Sequence, residues 1–388
     1  MKITDIRAAG LRGATPKGGW THELRADDVV HTLVVVHTDE GVVGIGSVFS
    51  SAALVQAALD VLTPICLGAN ALEPDKVSQV LHENTFWLGR GGAITHTISG
   101  IDIALWDILG QVTELPVSTL LGGRYRERVR PYASVLIDDG PTLAESLGKI
   151  AAQGFTAFKI GWGDFGRSSA AGDERAVRTA RDAVGPDALL AVDAGGSDAF
   201  WRNGFKWAVR TADMLADYDV AWFEEPLRPD DLDGFVALRH RSKVPIAGGE
   251  VLTRRQDFFR FLSAGAFDIV QPDTTKAGGL SESRRVAWLA EEFGTRFIPH
   301  GWNTAIGLAA DLHLAAALPG TDLVEYKTGS AYIDDLVVGG FTLDDEGMLA
   351  VPASPGLGVR IDPDVLDRYS PGHGLFGGRG STCPPTTT

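Results

Sequence analysis

The chain has 388 residues, 44 % of them apolar and 22 % charged, which suits one large domain with a smaller partner and excludes global disorder. A formal net charge of −15 argues against nucleic acid or an anionic membrane as partner, because both require basic surface. The two cysteines, Cys66 and Cys383, stand far apart in unlike surroundings, so neither a disulfide framework nor a thiolate metal site is expected.

The N-terminal MKITDIRAAGLRG alternates and lacks the long apolar stretch of a signal peptide. No apolar run reaches the length of a membrane span, so a reducing cytoplasm is the expected setting. Residues 2–9 and 31–49 read as β-rich, with Asp39-Glu40-Gly41 as a hairpin turn. Between them Gly13–Trp20 is Gly-rich and reads as a mobile loop. From Ala52 to about Gly110 apolar residues recur at helical spacing, as in SGIDIALWDILG.

From about Val129 the texture changes. Short apolar runs (RPYASVLI, TAFKIGW, LLAVDA, VAWFEEP, PIAGGE, DIVQPD, TRFIPH, LVEYK) alternate with amphipathic stretches such as SESRRVAWLAEEFG. Alternating strands and helices imply a parallel sheet, and eight such units predict a closed (β/α)₈ barrel. A doubly wound open sheet is the alternative, but no GxGxxG turn follows an early strand. The expected division is an α+β capping domain over residues 1–125, to which 346–375 returns, a catalytic α/β barrel over 126–345 and a disordered tail over 376–388.

Six of the eight runs end in, or just before, an ionisable residue that an apolar strand does not need: Lys159, Asp193, Glu224, Glu250, Asp273 and His300. Glu325 lies in the eighth run. The spacing is about one β/α unit each time, so in a barrel these side chains converge on the mouth formed by the strands' C-terminal ends. Asp193, Glu224 and Glu250 come from three consecutive strands. Carboxylates crowded in this way repel unless a cation neutralises them, and an all-oxygen ligand set favours Mg²⁺. Glu225, beside Glu224, is expected to point elsewhere, as support for the site or as an ion-pair partner. Asp273 and His300 suit a base pair, in which the carboxylate fixes the imidazole tautomer and leaves the other nitrogen to take a proton. Of the other histidines, His31, His82, His96, His240, His313 and His373 read as ordinary structural residues, whereas His22 in the Gly-rich loop is a candidate substrate contact.

These residues resemble the enolase superfamily, and within it the mandelate racemase-like subgroup, over almost the whole chain. GIDIALWDILG followed by PVSTLLGG is similar to that family's capping helix and its exit into the barrel. GFTAFKIG, VDAGG, WFEEP, AGGE and DIVQPDTTKAGG resemble its strand motifs two to six. The resemblance implies metal ligation by Asp193, Glu224 and Glu250, an Asp273–His300 dyad, and Lys159 holding the substrate carboxylate. It also implies that Glu325 hydrogen-bonds that carboxylate as it becomes an enediolate, and that the chain assembles as a homodimer or octamer.

Two departures stand out. Where relatives carry a second strand-two lysine as a second base, this chain has Gly161, and Gly195 replaces the common Asn after the metal aspartate. Trp162 is expected to fill the space so left and, with Asn303 of the PHGWN run, to touch substrate. A lysine restored at position 161 is expected to permit slow epimerisation, provided Trp162 and its neighbours leave room.

Abstracting the proton next to a carboxylate demands stabilisation of a dianion, which a divalent metal and Lys159 would supply. With a base on one face only, syn β-elimination from an aldonate or aldarate, giving a 2-keto-3-deoxy acid, is the expected reaction. A racemase or epimerase using a loop residue as second base is the first rival. A Schiff-base aldolase using Lys159 and a non-catalytic binding protein are the others.

Overall fold

The computed structural model describes residues 1–12, 30–137, 140–198 and 201–377. His22, the Gly-rich loop Gly13–Trp20 and Cys383 lie outside them. The first unit is an antiparallel sheet of β1 (Ile3–Leu11), β2 (His31–Thr38) and β3 (Val43–Val48). The β2–β3 hairpin turns at Gly41 with a φ of 81°, which glycine tolerates without cost. Helices α1 (Ala52–Cys66), α2 (Pro74–Asn84) and α3 (Gly92–Thr113) cover one face. The backbones of β3 and α3 nearly touch: a Cβ on Gly46 would lie 1.9 Å from the Gly100 carbonyl. Helix α3 is buried on nearly every side because its other flank meets the barrel. There Asp102 accepts from the Ser281 amide at 2.9 Å and its hydroxyl at 2.5 Å, and Trp106 donates to the same hydroxyl.

The second unit is the eight-stranded parallel barrel: β4 (Arg128–Leu136), β5 (Ala157–Gly161), β6 (Leu189–Asp193), β7 (Phe223–Glu224), β8 (Ile246–Gly248), β9 (Ile269–Val270), β10 (Arg296–Phe297) and β11 (Leu323–Lys327). Consecutive strands pair, and β11 returns to β4. Between β10 and β11 the join is made by other contacts, including Thr321 Oγ1 donating to the Phe297 carbonyl and an Arg296–Asp322 ion pair. Helix α4 (Ala305–Ala316) is buried along its whole length. The C-terminal segment adds β12 (Leu349–Ala350) antiparallel to β4 and then reaches the first sheet, where the Tyr369 carbonyl accepts from Arg12 and that of Leu375 meets His37. No helix among the described residues is long and apolar enough to cross a membrane.

Strand alternation organises the barrel interior in layers. Apolar side chains, among them Tyr132, Ala157, Ala191, Trp222, Ile298 and Leu323, form one buried cluster at the floor. Two residues further along those strands stand Ser134, Lys159, Asp193, Glu224, His300 and Glu325.

Candidate active site

Lys159 lies at the centre of that second layer. Its ammonium is 2.5 Å from Glu224, 3.0 Å from Glu325 and 3.6 Å from Asp193, all buried. Burial works against its charge, but Glu224 and Glu325, ahead of Tyr132 and Asp193, outweigh it and hold the ammonium well above its ordinary range. An ammonium seated among three carboxylates is placed to balance charge rather than to attack a carbonyl.

Asp193, Glu224 and Glu250 each offer an oxygen within 4.8 Å of the others. Glu250 follows β8 rather than lying in it; Gly249, with a φ of 118°, turns the chain so that the carboxylate faces inward. Glu224 accepts from Trp222 at 2.9 Å and Gln271 at 2.8 Å. Asp193 accepts from the Gly195 amide at 2.8 Å and the Trp162 indole at 3.1 Å. Burial first, then Glu224 and Glu250, push the Asp193 carboxyl well above the carboxylate range. Three buried acids in this space cannot all ionise unless a cation joins them, so the donor set fits a hard divalent ion.

Asp273 and His300 meet across a short parallel bridge, with His300 Nδ1 2.7 Å from Asp273 Oδ2. Asp273 Oδ1 accepts from the Thr275 amide and hydroxyl. An ionised carboxylate only accepts, so Nδ1 carries the proton and Nε2 faces the cluster, 3.1 Å from Glu250 and 3.9 Å from Glu325. Burial would lower the imidazole's affinity for a second proton; Glu250, Glu325 and Asp273 reverse this and raise it well above the ordinary value.

Glu325 accepts from the Gly301 amide at 2.9 Å and the Tyr132 hydroxyl at 3.2 Å. Burial favours its neutral form, yet Lys159 and His300 hold it ionised. Glu225 makes no ion pair among the described residues; burial, with Glu250 and Asp193 near, pushes its carboxyl well above the ordinary carboxylate value. The Asn303 amide donates to Asp311 at 3.0 Å on α4. Trp162 is engaged with Asp193 as described. Position 161 has no room for a lysine, because a Cβ there would lie 2.4 Å from the Asp193 carbonyl oxygen. His31 stacks on Phe49 at 4.8 Å, its Nδ1 has no hydrogen-bond partner among the described residues, and burial lowers it to about 4 within the field of Asp273, Lys276 and His300. His96 shares this field, and burial again lowers it to about 4.

Two lysines escaped the sequence reading. Lys276 lies 3.7 Å from Asp273 and 4.4 Å from the Phe49 ring centroid, tying the dyad to the capping domain. Lys327 continues the inward alternation of β11 two residues beyond Glu325. Both were open to view, the first within the DTTKAGG run and the second in the period-two pattern of LVEYK.

Comparison with known proteins agrees with this architecture. Residues 25–122 match the model of the mandelate racemase / muconate lactonizing enzyme N-terminal domain, and 142–365 that of the enolase C-terminal domain-like family. The chain is 33 % identical over 384 residues to the D-galactarolactone cycloisomerase of Agrobacterium fabrum, covering 95 % of this chain and 99 % of that one. To the D-xylonate dehydratase of Haloferax volcanii it is 30 % identical over 397 residues, covering 95 % and 94 %. The crystal structure of a racemase from Streptomyces coelicolor A3(2) with bound magnesium superposes with a TM-score of 0.83 at 29 % identity, covering 95 % of this chain and 99 % of that one.

Proposed function

Because the chain belongs to the mandelate racemase / muconate lactonizing enzyme family of the enolase superfamily, we propose that it is a Mg²⁺-dependent dehydratase of an acid sugar, an aldonate or aldarate. Asp193, Glu224 and Glu250 are the residues that would hold the ion. When bound, it supplies positive charge for the oxygens of a carboxylate whose α-carbon is losing a proton. Lys159 supplies a second, permanent positive charge beside the same oxygens.

His300 Nε2 removes the α-proton. The electron pair left behind becomes the Cα–Cβ double bond as the β-carbon–oxygen bond breaks, and the same imidazole returns its proton to the departing hydroxide as water. The enol then tautomerises to a 2-keto-3-deoxy acid. Asp273 holds Nδ1 and so directs Nε2 toward the carboxylate cluster where the substrate's α-carbon is placed. The observation that carries this reading is the single dyad, with glycine at position 161. One imidazole serving as both base and acid requires hydrogen and hydroxyl to leave from one face, so elimination is syn.

A second reading has support of its own. If the β-oxygen belongs to a lactone or anhydro ring, the same steps open the ring and the product is an isomer. The cycloisomerase relative favours this, and a lactone's carboxylate leaves without an acid. Epimerisation has less support, since it calls for a base on the opposite face. The test is to incubate the protein and Mg²⁺ with aldonates, aldarates and their lactones in deuterium oxide, trapping 2-keto acids. Deuterated starting material without any 2-keto acid would replace elimination by epimerisation.

A further inference from the structure

Among the described residues, the ammonium of Lys327, at the mouth, has no anionic partner. The residue is only 9 % exposed. Unlike Lys159, which contacts three carboxylates, it makes no ion pair among the described residues. Its hydrogen bond goes to the carbonyl of its own neighbour, Thr328, at 3.0 Å. The Trp302 ring, two residues after His300, lies 4.7 Å from the ammonium and orients it on the same wall as the dyad. Asp334, whose charge reaches the ammonium from outside the site, accepts from the Tyr326 hydroxyl at 2.7 Å. A buried cation without a counter-ion is costly. Burial accordingly pushes Lys327 down to about 8, against the pull of Glu325 and Asp334.

We infer that Lys327 receives a second anionic group of the substrate, so that the sugar acid taken by this site is a dicarboxylate. The inference rests on the proposed function for the placement of the first carboxylate, beside Lys159 and Glu325. On β11 the side chains of Leu323, Glu325 and Lys327 face inward in turn, the first in the floor cluster. Lys327 is therefore about 7 Å further toward the mouth than Glu325. That is about the carboxylate-to-carboxylate reach of an extended five- or six-carbon diacid. A monoacid of the same length would set a hydroxyl against the ammonium and leave its charge unmatched.

The test uses unreactive ligands, so that binding is read apart from turnover. Adipate and hexanoate have the same chain length, and neither has a β-hydroxyl to eliminate. In calorimetric titrations of the Mg²⁺-loaded full chain, adipate is expected to bind at least about tenfold more tightly, the worth of one charge-assisted hydrogen bond. Lys327→Met, which keeps the aliphatic contact with Trp302, should bring the ratio near one, and Lys327→Arg should preserve most of it. If the Met variant does not fold, Lys327→Gln carries the same expectation. With reactive sugars, the diacid-to-monoacid ratio of kcat/KM should fall at least tenfold in the Met variant, chiefly through KM. No adipate preference in the natural protein, or one that survives in Lys327→Met, overturns the inference. An adipate preference without turnover of any acid sugar would instead sink the elimination reading and leave the anion seat standing. An equal loss of kcat on mono- and diacids in Lys327→Met, with binding unchanged, would make Lys327 a proton donor and also overturn it.

Discussion

Gly161, Trp162, Asp193 and Gly195 form one mutually dependent set. The Trp162 indole donates to Asp193 and lies where a side chain at position 195 would go, since a Cβ on Gly195 would come 2.6 Å from the ring. The two glycine departures therefore have different causes, one imposed by the Asp193 backbone and the other by the indole. Trp162→Phe should keep the packing but lose the donor, weakening Mg²⁺ affinity about 10–100-fold. A Mg²⁺ titration of activity checks this, and unchanged affinity would confine Trp162 to space-filling. Gly161→Ala should be worse, because its methyl group can be accommodated only by moving the Asp193 backbone. Asp273→Asn leaves the ring in place but frees its tautomer, and a kcat loss of about 10³–10⁴-fold is expected. A drop below tenfold would mean that Asp273 does not control His300. The positions of Lys159, Asp193, Glu224 and His300 are legible in the sequence because each is an ionisable residue closing a short apolar run. The Trp162–Gly195 contact is not, since it joins strand ends 33 residues apart through a left-handed backbone at Trp162.

At the scale of elements, the eight strand runs are readable because each is short, apolar and followed by a helical pattern. Their hydrogen-bonded cores are shorter than the runs, two residues in β7, β9 and β10, because the ends splay to carry the site. Helix α4 is harder to read, being apolar on most faces, and its His313 looks like an isolated polar residue. In the fold it is a bridge: Nδ1 accepts from the Ser118 amide and Nε2 meets the Leu357 carbonyl, both at 3.1 Å. Only the neutral Nε2–H tautomer satisfies both partners. Burial, reinforced by Arg124 and opposed by the Leu357 carbonyl, lowers its pKa to about 4, below the unfolded value of about 6.5. Between those values the unfolded chain binds the extra proton more readily, so stability is full above about 6.5 and declines as pH falls toward 4. His313→Leu should remove both hydrogen bonds and cost about 2–4 kcal/mol near neutrality. It should also flatten this part of the acid limb in denaturant titrations. An unchanged slope between pH 6.5 and 4 would assign the acid sensitivity to the other buried histidines.

Across the whole molecule, the capping domain and barrel share buried polar contacts, from Asp102–Ser281 to Lys276 over Phe49, so strain at the barrel mouth is felt by both. The largest unbalanced feature there is the carboxylate cluster. Asp193, Glu224, Glu250 and Glu325 are all buried, with Lys159 and His300 as the cations in contact with them. Folding without a metal must either protonate an acid or bear the repulsion, and an ion bound only by the folded state relieves this. Saturating Mg²⁺ at about 100 times its dissociation constant should add about 2.7 kcal/mol, a Tm rise of a few degrees for a chain of this size. Because this readout needs no substrate, it tests the metal site independently of the reaction assigned to it. Glu224→Gln and Asp193→Asn should each fold, lose turnover and lose most of the Mg²⁺-dependent rise, since each removes a charged ligand. Glu225→Gln should keep the rise, because Glu225 is not among the three acids whose oxygens converge. A Tm indifferent to Mg²⁺ after exhaustive chelation, or a rise of equal size in the ligand variants, would show that the three acids hold no divalent ion.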